Sequence, residues 1–227
     1  MPEDHAQLNS AVIFDVDGVL LELTRPEEDA FFVPFERRYG LTGLSRDWDS
    51  YRIRNDEHII AEILERHGLP ADDHDAIVSD YIDVLRNGIA DGSIPPILIV
   101  GAADLLNRLK ANARLGIATA NLVAAAKPRL DAHGLWDLVA HLAFGAEGSG
   151  HKRETVAHAI AATGLPKERI IYIGDNLNDV DAGLSNGVHF IGFSTDPSRR
   201  QRLADAGARH LSGDHQQTAG LIANLLE

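Results

Sequence analysis

The chain has 227 residues, 44% of them hydrophobic and 24% charged, with a formal net charge of −13. That length suits one full core with a smaller second unit, and the acidic balance speaks against non-specific nucleic-acid binding. Cysteine is absent, which excludes disulfides, thiolate metal sites and a cysteine nucleophile, and fits a reducing, cytoplasmic setting.

Residues 1–10 are polar and carry no signal-peptide core, and no apolar run reaches membrane-spanning length, so no membrane partner is expected. The first element is Ala11-Val12-Ile13-Phe14, which runs straight into Asp15-Val16-Asp17-Gly18. An apolar run rich in β-branched and aromatic residues predicts a buried parallel strand. Its carboxylates then lie at the carboxyl end, where open α/β sheets bind ligands. Strand alternation points Asp15 and Asp17 to one side, and their mutual repulsion calls for a cation such as Mg²⁺, which favours oxygen ligands. Gly18 lets the backbone turn away close to a ligand. The plain alternative is a strand ending in a solvated turn.

Thr24-Arg25-Pro26-Glu27 has the spacing of a capping box and opens a helix that carries Phe31, Phe32 and Phe35 and stops at Gly40. Asn55 caps a second helix, whose apolar face is Ile59, Ile60, Ile63 and Leu64. A third is expected over 72–87. Residues 24–91 therefore read as all helix. The run 97–100 fits a strand or an apolar linker equally.

Beyond it the pattern alternates. Helices are expected over 102–112, 122–133, 153–162, 179–185, 197–206 and 214–226. Strands are expected over 115–118, 138–144, 170–173, 188–192 and 208–211. Pro128 implies a kink or a late start in its helix. Such alternation predicts an α/β fold: a Rossmann-like parallel sheet with helices on both faces. The expected division is a core of 1–22 and 96–227 and an inserted all-helical cap of 23–95, over the crevice where a lid would lie.

The second carboxylate cluster is Ile173-Gly174-Asp175-Asn176-Leu177-Asn178-Asp179. Alone, Asp175 and Asp179 would read as a turn residue and a helix cap. Paired with Asp15 and Asp17, after a second apolar strand, they complete an acidic rim suited to a hard cation.

These residues resemble the haloacid dehalogenase-like hydrolase superfamily, in particular its phosphoglycolate-phosphatase-like members with a helical cap. Asp15-Val16-Asp17-Gly18-Val19 matches the first motif, Thr119 the second, Lys152 the third and Gly174 to Asp179 the fourth. Val19 stands where threonine is commoner, and Val100-Gly101 replaces a frequent proline-glycine. Arg153 competes with Lys152 for the third motif.

The resemblance implies a Mg²⁺-dependent phosphatase acting on a small phosphorylated metabolite through an aspartyl-phosphate. Asp15 would be the nucleophile and Asp17 the general acid and base. Thr119 and Lys152 would bind the phosphoryl group, with Gly18 and Asn121 beside it. Asp15, Asp17 (through its carbonyl) and Asp175 would hold the metal, with Asp179 either a further ligand or the group that orients Asp175. Asp17 favours phosphate chemistry, because the family's dehalogenases lack an acid there.

Two alternatives stand beside this reading. One is a phosphomutase of the β-phosphoglucomutase type. The other is a non-enzymatic module that responds to phosphate or metal. The cap has no lysine, but Arg52 and Arg54 are candidates to grip a second anion on the substrate, against the plainer reading of two solvated charges. Most histidines, His215 among them, read as solvated or helix-end positions, and Arg199, Arg200 and Arg202 as an exposed helix face. Oligomeric state is not legible.

Overall fold

The computed structural model describes residues 8–227. Residues 1–7, the first part of the expected core and of the polar N-terminal stretch, lie outside the described residues.

Six strands form one parallel sheet in the order β5-β4-β1-β6-β7-β8. They are β1 (Ala11–Phe14), β4 (Arg114–Ala118), β5 (Ala143–Phe144), β6 (Ile170–Gly174), β7 (His189–Phe193) and β8 (His210–Ser212). The four residues of β1 are all fully buried, which accounts for an apolar run without alternation. Val12 and Phe14 join one core cluster, with Leu115, Ile117, Ile171 and Ile173. Ala11 and Ile13 join the opposite one, with Ile170 and Tyr172.

Helices cover both faces. α4 (Ala102–Leu109), α5 (Val123–Asp131), α6 (Trp136–Val139) and α10 (His215–Leu226) supply the first cluster, through side chains such as Leu106, Leu130, Val139 and Ile222. α7 (Lys152–Thr163), α8 (Leu177–Asn186) and α9 (Pro197–Asp205) supply the second, through Val156, Val180 and Leu203. Each buried aliphatic side chain stabilises by about 1.5–3 kcal/mol, so the two clusters dominate the fold's favourable terms.

Register positions the site. Phe14 lies between Ile117 and Ile173, so β1, β4 and β6 end side by side. Asp15, Thr119 and Asp175 follow at one edge.

The inserted unit is helical, as expected: α1 (Arg25–Tyr39), α2 (Asp56–Arg66) and α3 (His74–Asp91). They share a core of their own, with Phe31, Phe35, Ile60, Ile63, Ile77 and Leu85 inside. Thr24 and Glu27 form the capping box: Glu27 N–H donates to Thr24 Oγ1 and Thr24 N–H donates back to Glu27 Oε2.

Several boundaries differ from the sequence reading. The 97–100 run holds a two-residue strand, β3 (Ile97–Leu98), antiparallel to β2 (Leu21–Glu22). These pair the two chain crossings between sheet and cap. The strand expected over 138–144 shrinks to Ala143–Phe144. Before it come α6 and a 3₁₀ turn (Ala140–Leu142), which bury Val139 and Leu142, three apart. A short apolar run suits either period, and packing decided. α8 starts two residues early because Asn176, not Asp179, is its cap.

Candidate active site

Asp15 continues β1, with its N–H bonded to Ile173 O at 2.8 Å. One oxygen, Oδ1, accepts from Val16 N–H and from Lys152 Nζ, each at 2.7 Å. The other oxygen has no hydrogen-bond partner among the described residues, and Asp15 lines a cleft of about 660 Å³ between sheet edge and cap. One oxygen is thus fixed while its twin is open to the cleft, an arrangement suited to a carboxylate nucleophile. Burial pushes the Asp15 pKa well above the usual carboxylate range. Lys152 opposes this, while Asp179 and Asp175 add to it.

Asp175 follows β6. Burial foremost, and then Asp179, raise its pKa to about 6 against the pull of Arg199 and Lys152. Asp179 is fully buried. Its Oδ1 accepts from Tyr172 O–H at 2.5 Å and from Lys152 Nζ at 3.2 Å; its Oδ2 accepts from the N–H groups of Asp175 and Asn176. So Asp179 chiefly holds the 174–176 turn and the lysine. One carboxylate oxygen from each of Asp15, Asp175 and Asp179 lies within 4.8 Å of the others. Crowded, buried, all-oxygen donors fit a hard divalent cation, which would hold them ionised where burial disfavours charge.

Gly18 has φ +77°, and a Cβ there would stand 2.2 Å from Asp175 Oδ2. Only glycine allows the first motif's turn to press against the fourth motif's carboxylate. Lys152 is 7% exposed; burial lowers its pKa, but Asp15 and then Asp179 more than offset this. Arg153 points elsewhere and pairs with Asp181 at 2.7 Å on the surface. Thr119 is fully buried behind Asn121: its hydroxyl donates to Asn121 Oδ1 and accepts Asn121 N–H, while Asn121 itself lines the cleft.

A family model for haloacid dehalogenase-like hydrolases matches residues 10–187, which include every one of these side chains except Arg199. The chain belongs to that family. A phosphoglycolate phosphatase from Caulobacter vibrioides is 31% identical over 206 residues, 84% of this chain and 83% of that protein. The tyrosine-protein kinase PtkA of Mycobacterium tuberculosis is 29% identical over 186 residues, 78% of this chain; the chain spans 59% of that relative's length. Among solved structures, CbbY from Rhodobacter sphaeroides in complex with phosphate superposes with a TM-score of 0.72 at 22% identity, covering 92% of this chain and 95% of that one. This last likeness concerns the fold. The family match favours the enzymatic alternatives over a regulatory module.

The haloacid dehalogenase-like architecture also locates what the sequence reading misplaced. Arg199 is not free on a helix face: its Nη2 donates to Asp175 Oδ2 at 2.7 Å. His215 is 3% exposed, stacks on Phe193 and bonds through Nε2 to Val19 O at 2.9 Å, beneath the first motif. Of the two cap arginines, Arg54 lines the cleft and pairs with Asp49 at 3.0 Å, whereas Arg52 lies outside the lining and pairs with Glu62 and Glu65. Strand alternation failed there because Tyr51 to Asn55 is a bend, not a strand.

The cap docks through residues read only as a helix start. Asn55 Nδ2 donates to Ser149 O and Gly150 O, at 3.0 and 2.8 Å. Asp56 N–H donates to Ala120 O, and Asp56 Oδ2 accepts Leu122 N–H at 2.9 Å. Burial pushes the Asp56 pKa up to about 7, although the Leu122 N–H pulls the other way. Between about pH 4 and 7 the folded chain therefore binds a proton at Asp56 that the unfolded chain does not, so this group makes stability fall as pH rises. Three pKa units correspond to about 4 kcal/mol as an upper bound. Asp56→Asn should raise the melting temperature by several degrees at pH 8 and by little at pH 4. Thermal melts at both pH values check this, and an equal shift at both would assign the gain to something other than Asp56 ionisation.

Arg129 was missed altogether. It is the largest fully buried side chain among the described residues, 1% exposed, on a helix for which the sequence offers only a span and the Pro128 kink. Its Nε donates to Glu27 Oε1 at 2.7 Å and its Nη2 donates to Asp17 Oδ1. An arginine late in a nine-residue helix reads from sequence as a solvated charge favourable to the helix dipole. Nothing local marks it as buried.

Proposed function

We propose that the chain is a Mg²⁺-dependent phosphatase of a small phosphorylated metabolite, working through a phosphorylated Asp15, with 1–22 and 96–227 as core and 23–95 as cap. The observation that carries this reading is Asp15 itself, pinned by one oxygen to Lys152 and presenting the other to a roofed cleft beside Asp17 and Asp175.

In the first step the open Asp15 oxygen bonds to phosphorus, the ester P–O bond breaks, and its electron pair leaves on the alcohol oxygen, which takes a proton from Asp17. In the second, water attacks phosphorus and gives a proton to Asp17, and the P–O bond to Asp15 breaks, restoring the carboxylate and releasing inorganic phosphate. Lys152 offsets charge on Asp15 and on the transferring oxygens; Thr119 sets Asn121 beside them. Asp15 and Asp175, with Asp179 and the Asp17 carbonyl, would hold Mg²⁺, which supplies charge neutralisation for phosphoryl transfer.

Release of inorganic phosphate from a panel of phosphate monoesters tests the reading. The relative's name makes phosphoglycolate the first ester to try. Saturable release supports a phosphatase; isomerised sugar phosphate without release would support the mutase instead; turnover of no ester would sink both. Arg54 is the cap cation placed to meet a second anion on the substrate. Arg54→Ala should raise KM for such esters by about tenfold, the scale of one charge-assisted hydrogen bond, and leave p-nitrophenyl phosphate nearly unchanged. Arg52→Ala should alter neither. Equal, small effects from both changes would return Arg54 to the surface-charge reading.

A further inference from the structure

Arg129 belongs to none of the four motifs, yet it joins the proposed acid to the cap. We propose that Arg129 is a positioning residue: its guanidinium fixes the Asp17 carboxylate for proton transfer and couples that placement to the first cap helix through Glu27. The inference deepens the phosphatase reading and rests on it.

The geometry is a continuous chain of hydrogen bonds from Thr24 through Glu27 and Arg129 to Asp17. Glu27, 3% exposed, has one oxygen on Arg129 Nε and the other on the N–H and O–H of Thr24, at 2.8 and 2.9 Å. Glu27 is thereby tied to the N-terminal cap of α1. Arg129, carried by α5 beneath the sheet edge, holds Asp17 Oδ1. The other Asp17 oxygen has no partner among the described residues, and Asp17 lines the cleft. One oxygen is held from behind and the other faces the place where a leaving alcohol and then a water must stand. A lysine could not do this, because the task needs two divergent N–H groups on one rigid plane. The Thr24–Glu27 capping box, which looks like a simple helix start, is the cap's end of the link. Movement of α1 relative to α5 would release Asp17 from its set position, so the acid is in place only while the cap base is.

A purely structural ion pair would give the same contacts, and kinetics separates the two. In Asp17 chemistry the first step needs a proton only when the leaving group is basic, whereas the second step always needs the base. Arg129→Lys and Glu27→Gln keep charge and shape, respectively, and are milder than Arg129→Met. They should lower kcat/KM for an alkyl phosphate by about 10²-fold, the scale of a misplaced catalytic group, and for p-nitrophenyl phosphate by less than about threefold. Slowed dephosphorylation should also produce a stoichiometric burst of p-nitrophenolate, absent in the unmodified enzyme. Melting temperature and circular dichroism identify the variants that fold. In any that does, equal losses of kcat/KM on the two esters without a burst would overturn the positioning role and leave a structural ion pair. An unmodified enzyme that hydrolyses neither ester would instead overturn the phosphatase reading.

Discussion

Asp15→Asn should lower phosphate release by at least about 10³-fold, toward the assay floor, while leaving the fold intact. Asparagine keeps the shape and still offers one oxygen to Val16 N–H. It removes the carboxylate oxygen that the cleft leaves open. Folding stability at neutral pH should hold or rise, because burial and the neighbouring Asp179 and Asp175 disfavour ionised Asp15. Its raised pKa means that the folded chain binds the extra proton, so ionised Asp15 costs stability as pH climbs past the ordinary carboxylate range; Asn abolishes that cost. Lys152 keeps Asp179 as a partner, 3.2 Å away. Steady-state phosphate release with a thermal melt on the same sample reads both parts. Activity near that of the unmodified chain would end the assignment of Asp15 as nucleophile.

Chelation should abolish activity as completely, and Mg²⁺ should restore it. Asp15, Asp175 and Asp179 crowd one space, where among the described residues Lys152 pairs with Asp15 and Asp179 and Arg199 reaches Asp175 from the side. Burial raises Asp175 to about 6 and pushes Asp15 well above the usual carboxylate range, so a divalent cation held by these oxygens would offset charge that burial disfavours. Ca²⁺ should activate poorly, since it prefers larger and looser coordination. Titrating Mg²⁺ into chelator-treated protein while following phosphate release measures this. Full turnover in excess EDTA would contradict the metal scheme.

How much of this was legible in the sequence differs by element. β1 and β6 were readable because a strand buried on both faces must be free of charge throughout, and each is followed at once by an aspartate. The cap's first helix was readable from Thr24 and Glu27, since capping geometry fixes their spacing. Residues 138–142 were not, because Leu138-Val139-Ala140-His141-Leu142 is too short a stretch to separate the two periods until tertiary packing chooses. Arg199, Arg129 and Asp56 were illegible for a shared reason. Each owes its role to a partner distant in sequence: 24 residues for Arg199 and Asp175, 112 for Arg129 and Asp17, 66 for Asp56 and Leu122. A charged residue on a helix carries no local sign of such a partner. His215 was hidden likewise, since a separation of 196 positions from Val19 leaves no pattern to read. Lys152 was narrowed to one of two neighbours, and the geometry separates them: Lys152 turns inward to Asp15, while Arg153 pairs with Asp181 outside.

A phosphoryl group that passes through a covalent bond to Asp15 should be trappable there. Asp17→Asn should let an aryl phosphate load the enzyme, because that leaving group needs no proton, and then stall, because no base activates water. Acid quenching within the first turnover, followed by peptide mass spectrometry, should find one phosphoryl group on the peptide bearing Asp15. The same variant with Asp15→Asn added should show none. Phosphate released with no adduct on that peptide, or an adduct on any other residue, would rule out Asp15 as the nucleophile.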